Sequence, residues 1–409
     1  MKLCALSLVV ALYHRMLKCF SMPLIQTKLL ERKKAGEFIG VITLNKEQSL
    51  NALNLEMVEL MSACLMQWRN DDSVVAVLIE GAGDKAFCAG GDVVSMYQSM
   101  KLVRTETHVE GNVKLVHPPQ FLSDFFSQEY SLDYCINTYP KPIITWGSGI
   151  VMGGGLGLFA ASKFAIATDT SRFAMPEISI GLFPDVGGSY FLNKMPAGVG
   201  LFLALTGASF SGIDAYDVNL ASHKLSSDSK QALQAQLIDM DTLSEQGIDE
   251  ALSALQLVDK AVFGSVEAKL KPNFNKFNAL SNAQTLSAAV SQLTAIVGEK
   301  NDDRWWLKAL KTLNNGSPVT ANIVFEQLKR SKNFTLADCF RQELSIALTC
   351  SLYGEFEEGV RALLIDKDFT PQWLYQNRDD VPSSLIAAHF TYFADAINPL
   401  HHLEQNYGG

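Results

Sequence analysis

The chain has 409 residues, 48% of them hydrophobic and 19% charged, a composition that excludes an intrinsically disordered protein and leaves ample length for a packed core. Its 34 basic and 43 acidic residues give a formal charge of −9 with no long Lys/Arg block, so a nucleic-acid backbone is not the expected partner. The cysteines form no Cys-x-x-Cys pair and the histidines no His-x-x-x-His spacing, which gives neither a zinc site nor a disulfide framework: no catalytic metal and a reducing, cytoplasmic setting are expected.

In chain order, Lys2 precedes an apolar run from Leu3 to Tyr13, followed by His14, Arg15 and Lys18, which is partly signal-like and partly transit-like. No small-x-small cleavage pattern follows, and the run is too short to span a bilayer. Residues 1–21 are therefore expected to be an N-terminal extension or a mis-assigned start, and no membrane partner is expected. From Leu29 the pattern reads strand, strand, helix, strand. Phe38 to Leu44 is β-rich, Asn54 is a candidate N-cap, and Val58, Met61, Leu65 and Trp68 repeat at helical spacing. Val74 to Ile79 is nearly all apolar, as a strand buried on both faces requires.

A helical stretch around Phe121 to Ile136 leads to an apolar strand, Pro142 to Trp146, and then to the densest glycine cluster of the chain. Two shorter strand signals, Phe164 to Ala167 and Arg172 to Ala174, precede a turn at Gly187-Gly188. Beyond about Phe191 the pattern turns helix-rich, with no further strand of comparable quality. The expected division is an α/β core over residues 22–220 and a helical region over 221–409.

Three segments carry candidate chemistry. Ala89-Gly90-Gly91 and Gly153-Gly154-Gly155 place glycines where a strand gives way to a helix, so that backbone N–H groups point outward and favour an anion. Read alone, each cluster is equally well a tight turn. Neither a phosphate loop nor a dinucleotide fingerprint is present, because no Gly-Lys-Ser/Thr follows and the glycine spacing is wrong. The third segment, Pro176-Glu177 through Asp185-Val186-Gly187-Gly188, sets two carboxylates in an apolar, glycine-rich surround. Burial there would raise their pKa and suit acid–base work, against the plainer reading as caps or surface acids.

Together with Leu50-Asn51-Ala52-Leu53, these segments resemble the enoyl-CoA hydratase/isomerase (crotonase) superfamily. The third segment, and Glu358-Gly359-Val360-Arg361-Ala362 through Asp368, are similar to the branch of that family that hydrolyses 3-hydroxyacyl-CoA thioesters. The resemblance implies an α/β fold, a crotonase-like (ClpP/crotonase) spiral of ββα units with a helical C-terminal region. It implies hydrolysis of 3-hydroxyisobutyryl-CoA to 3-hydroxyisobutyrate and CoA in valine catabolism, with no cofactor, since CoA is part of substrate and product. Gly91 and Gly154 would supply the oxyanion-hole N–H groups, Glu177 and Asp185 the catalytic carboxylates, and Glu129 would accept from the substrate's 3-hydroxyl.

Two departures bear on this. Hydratases resembling the chain carry a second glutamate where Gly157 stands, which disfavours one rival reading, an enoyl-CoA hydratase or isomerase. A non-catalytic CoA- or RNA-binding member of the fold is the other. Lys46-Glu47-Gln48 replaces the Arg-Pro-Lys that relatives often place near the CoA phosphates, leaving Lys367 or Lys85 as substitutes. The expected partner is a small-molecule acyl-CoA, and a homo-oligomer is compatible with the resemblance. A eukaryotic source would move the expected location to the mitochondrial matrix.

Overall fold

A computed structural model describes residues 23–106, 117–298, 302–393 and 396–407, so the expected extension at residues 1–21 lies outside the described residues. Strand β1 (Ile25–Glu31) pairs antiparallel with β2 (Phe38–Leu44). β2 then runs parallel to β3 (Val74–Gly81), which pairs with β5 (Ile143–Gly147), then β7 (Phe164–Thr168) and β10 (His223–Leu225), in the order β1-β2-β3-β5-β7-β10. A second sheet runs β4-β6-β8-β9, from β4 (Ala86–Cys88), β6 (Ile150–Met152), β8 (Arg172–Ala174) and β9 (Phe210–Ser211).

Successive turns of chain therefore give one strand to each sheet and then a helical segment. β3 and β4 are followed by the helices Val93–Glu106 and Gln120–Asn137, and β5 and β6 by Gly154–Ala161. β7 and β8 are followed by the short turn Glu177–Ile180. This is a crotonase-like spiral of ββα units, and the segments that follow β4, β6 and β8 all line one cavity. β5 and β7 are buried along their whole length, which is why they read as continuous apolar runs.

The helix Leu55–Arg69 begins where the sequence indicates. The Asn54 side chain accepts from the Met57 N–H at 2.9 Å, and Met57, Val58, Met61, Leu65 and Trp68 face the core. Between β5 and the second glycine cluster the chain adds β6, which the sequence does not announce, and β9 and β10 lie beyond Phe191, where no strand is expected. All three have two or three residues, too few to display a period of two.

C-terminal helices close the spiral from one side. Pro318–Arg330 and Leu336–Tyr353 share one apolar core with the β units, and Tyr130 stacks on Phe340 with ring centroids 5.6 Å apart. The helix Glu355–Val360 and the π-helical turn Arg361–Ile365 follow directly and reach the mouth of the site.

Candidate active site

The two glycine clusters meet. The chain leaving β4 is pinned by Leu53, whose N–H donates to the Gly90 carbonyl at 2.8 Å and whose carbonyl accepts from Asp92 N–H at 2.7 Å. Gly91 N–H lies between those bonds and has no acceptor among the described residues. Across from it, Gly153 takes φ +48, a left-handed value that favours glycine, and turns the chain into the helix Gly154–Ala161. Gly154 N–H, in the first turn of that helix, has no intrahelical carbonyl to reach. A Cβ placed on Gly90 would be 3.8 Å from the Gly154 nitrogen, so the free donors are neighbours.

Both open on a cavity of about 240 Å³ that is also lined by Glu129, Glu177 and Asp185. All five site residues expected from the sequence thus converge, from five separate segments of the chain. Glu129 comes from the helix Gln120–Asn137, Glu177 from the turn after β8, and Asp185 from the loop before the helix Gly188–Lys194. The remaining walls are mostly apolar: Val93, Met96, Phe125, Ile180, Leu363 and Leu364. Glu129 stands closest to the glycines, since a Cβ on Gly154 would run into its Oε1, and Glu177 Oε1 lies 3.3 Å from where a Gly153 Cβ would be.

Burial dominates the electrostatics. Glu129, Glu177 and Asp185 are 2%, 5% and 5% exposed. Desolvation, and secondarily the charge of Asp185, push the Glu129 and Glu177 carboxyls well above the ordinary glutamate range. Asp185 rises only to about 6, lifted by burial and restrained by the Tyr130 hydroxyl, which donates to Oδ2 at 2.8 Å. Negative charge therefore settles first on Asp185 as pH rises. Glu129 Oε1 and Glu177 Oε2 are buried without a hydrogen-bond partner among the described residues, and both side chains line the cavity.

Sequence reasoning missed Tyr130 and Asp133. Nothing in the sequence marks the tyrosine, but Asp133 follows Glu129 at i+4 on a helix and so shares its face. Asp133 is fully buried, and both its carboxyl oxygens lack a partner among the described residues. It explains Gly157. A Cβ at position 157 would be 2.6 Å from Val186 Cβ and 2.7 Å from Asp133 Oδ2, so no side chain fits where a hydratase carries its second glutamate.

Burial, and then the charges of Glu129, Asp185 and Glu343, raise the Asp133 carboxyl well above its ordinary value of 3.8. A group raised on folding contributes stability in full below its unfolded pKa, and that contribution is lost as pH rises toward the folded value. Asp133→Asn should therefore flatten the fall of stability above pH ~4 by up to about 1.4 kcal/mol per pH unit. Urea unfolding across the neutral range measures this, and an unchanged slope would mean that Asp133 keeps no proton on folding.

Among the described residues no group of His, Cys, Asp and Glu is arranged to hold a metal ion. The basic residues considered for the CoA phosphates differ in setting. Lys46 is half-buried and pairs with Asp92 at 3.2 Å, Lys85 is exposed in the turn before β4, and Lys367 is exposed just past the turn Arg361–Ile365 whose leucines line the cavity.

The family model described as enoyl-CoA hydratase/isomerase matches residues 39–390. The chain is 36% identical over 363 residues to "3-hydroxyisobutyryl-CoA hydrolase, mitochondrial" of Xenopus tropicalis, covering 88% of this chain and 87% of that protein. Among solved structures it is similar to a carnitinyl-CoA dehydratase from Mycobacterium thermoresistibile, at 32% identity and a TM-score of 0.74 over 89% of this chain and 96% of that one. An enoyl-CoA hydratase from Rhodobacter sphaeroides 2.4.1 gives 28% identity and a TM-score of 0.73 over 91% and 98% of the two chains.

Proposed function

The chain belongs to the enoyl-CoA hydratase/isomerase family, and from that premise we propose that it is an acyl-CoA thioester hydrolase converting 3-hydroxyisobutyryl-CoA to 3-hydroxyisobutyrate and CoA in valine catabolism. The observation that carries the reading is the convergence of Glu177 and Asp185 on two free backbone donors, in a site where Gly157 leaves no room for a hydratase's second glutamate. That convergence also counts against a non-catalytic member of the fold.

In this reading the Gly91 and Gly154 N–H groups polarise the thioester carbonyl and stabilise the tetrahedral oxyanion. Glu177, once ionised, takes a proton from the water that attacks the carbonyl, or it attacks the carbonyl itself, the C–S bond breaking to expel the thiolate and leave a mixed anhydride whose hydrolysis by water restores the carboxylate and supplies the thiolate's proton. The Tyr130 hydroxyl favours the Asp185 anion, which supports Asp185 as the group that positions water. The proton that Glu177 takes from water then goes to the departing thiolate, so the carboxylate ends the cycle as it began. The Xenopus tropicalis relative is named as a mitochondrial protein, and for a eukaryotic source the matrix is the proposed location.

Release of free thiol from a panel of acyl-CoA thioesters tests the reading. Thiol from the 3-hydroxyisobutyryl thioester is expected, whereas hydration of crotonyl-CoA without thiol release would favour the hydratase. In the same assay Glu129→Ala should weaken the 3-hydroxyacyl thioester more than the matching thioester lacking the hydroxyl, by about 1.5 to 3 kcal/mol. Equal losses for both would make Glu129 a structural residue.

A further inference from the structure

The turn that carries Asp185 is fastened by residues about 150 positions further along the chain, in the C-terminal helices. Val186 takes φ +52, in the left-handed region that β-branched residues avoid, so this turn does not hold its shape by local preference. Glu343, fully buried in the helix Leu336–Tyr353, grips it from below. Its Oε2 accepts from the Gly187 N–H and its Oε1 from the Ser189 N–H, each at 2.8 Å. Buried Gln327 in the helix Pro318–Arg330 donates through Nε2 to the Pro184 carbonyl at 2.7 Å and to Ser189 Oγ at 2.8 Å. The residues flanking Asp185 and Val186 are thereby held on both sides.

Glu343 does not line the cavity, so it has no contact with a substrate there. A carboxyl enclosed in an apolar core is costly unless its bonds serve the structure, and here both of its oxygens are spent on this one turn. We propose that Glu343 is a positioning residue for the hydrolytic reaction: it clamps the 184–189 turn and so keeps Val186 left-handed and Asp185 aimed into the cavity. The inference rests on the assignment of Asp185 to the catalytic pair.

The test compares Glu343→Ala, Val186→Gly and the double variant in thioester hydrolysis, with Asp185→Asn alongside. Without the clamp Val186 relaxes toward an extended backbone and Asp185 swings with it. Glu343→Ala should then lower kcat by about 10- to 100-fold, the usual penalty for a misplaced catalytic group, with KM and CoA binding nearly unchanged. Glycine accepts the left-handed conformation freely, so Val186→Gly should recover at least several-fold of that loss in the double variant while changing kcat little by itself.

Wild-type kcat in Glu343→Ala would overturn the proposal. So would a loss that Val186→Gly fails to rescue in folded protein, because Glu343 would then act other than through the turn. If the alanine variant does not fold, Glu343→Gln serves instead. Its amide oxygen still accepts one N–H while its amide nitrogen faces the other, so a smaller loss with the same rescue is expected, and no loss refutes the clamp. Full activity in Asp185→Asn would instead sink the reading of Asp185 itself, an outcome separate from failure of the clamp alone.

Discussion

Replacing Glu177 by glutamine is expected to leave the fold intact and lower kcat by about two to four decades, the usual contribution of a positioned acid or base. The amide has the size of the carboxyl it replaces and sits in a pocket where the native group is 5% exposed and Oε2 has no protein partner, so no structural bond is lost from that oxygen. What disappears is the ability to take a proton or to attack. The sign of the pH dependence follows from the same burial. Because burial raises the Glu177 carboxyl well above the ordinary range, it ionises at higher pH than an exposed glutamate, and kcat/KM should climb with pH as it does so. In Glu177→Gln that climb should vanish. Near-normal turnover by the folded variant would remove Glu177 from the mechanism. A single turnover of wild-type protein in oxygen-18 water divides the two routes: label in the Glu177 carboxylate indicates an anhydride, and its absence indicates direct attack by water.

Gly154→Val should cost at least about 10² in kcat/KM, the penalty of losing one oxyanion-hole donor. The geometry makes the substitution severe, because a Cβ at this position would run into Glu129 Oε1 and stand 3.4 Å from Leu53 Cδ1. The side chain would push Glu129 away and tilt the N–H that faces the carbonyl, so the preference for a 3-hydroxyl should decline with the rate. Exclusion of the acyl group could by itself lower kcat/KM, and for that reason binding of free CoA is measured as well. CoA has no acyl carbonyl and should bind the variant almost normally. Thioester hydrolysis at the wild-type rate would reduce the glycine cluster to a packing device and would make this the wrong site.

Local rules account for much of the chain. The strands Phe38–Leu44 and Val74–Gly81 are legible as apolar runs of strand length, and the Asn54-capped helix is legible because its apolar residues recur at helical spacing. The glycine clusters are visible at junctions of strand and helix but read alone equally well as tight turns, so it is the family resemblance that assigns donors to Gly91 and Gly154 and marks Gly157 as the place of a hydratase's missing glutamate. β6, β9 and β10 are not legible. Their two or three residues carry no period, and what makes them strands is the neighbour each one pairs with.

Composition and spacing alone determined which groups are present: two glycine clusters at junctions of strand and helix and two carboxylates in an apolar surround, while their roles, and that of the acid on the preceding helix, came from the family resemblance. Composition and spacing could not determine what each group faces, because burial and hydrogen bonding are properties of residues brought together from far along the chain. Only the tertiary structure decided that Tyr130 would favour the charge on Asp185, that Asp133 and Val186 would occupy the space beside Gly157, and that Glu343 and Gln327 would hold the catalytic turn. A carboxyl's readiness to give or take a proton depends on the dielectric and the donors within a few ångströms of it, and those are set by packing.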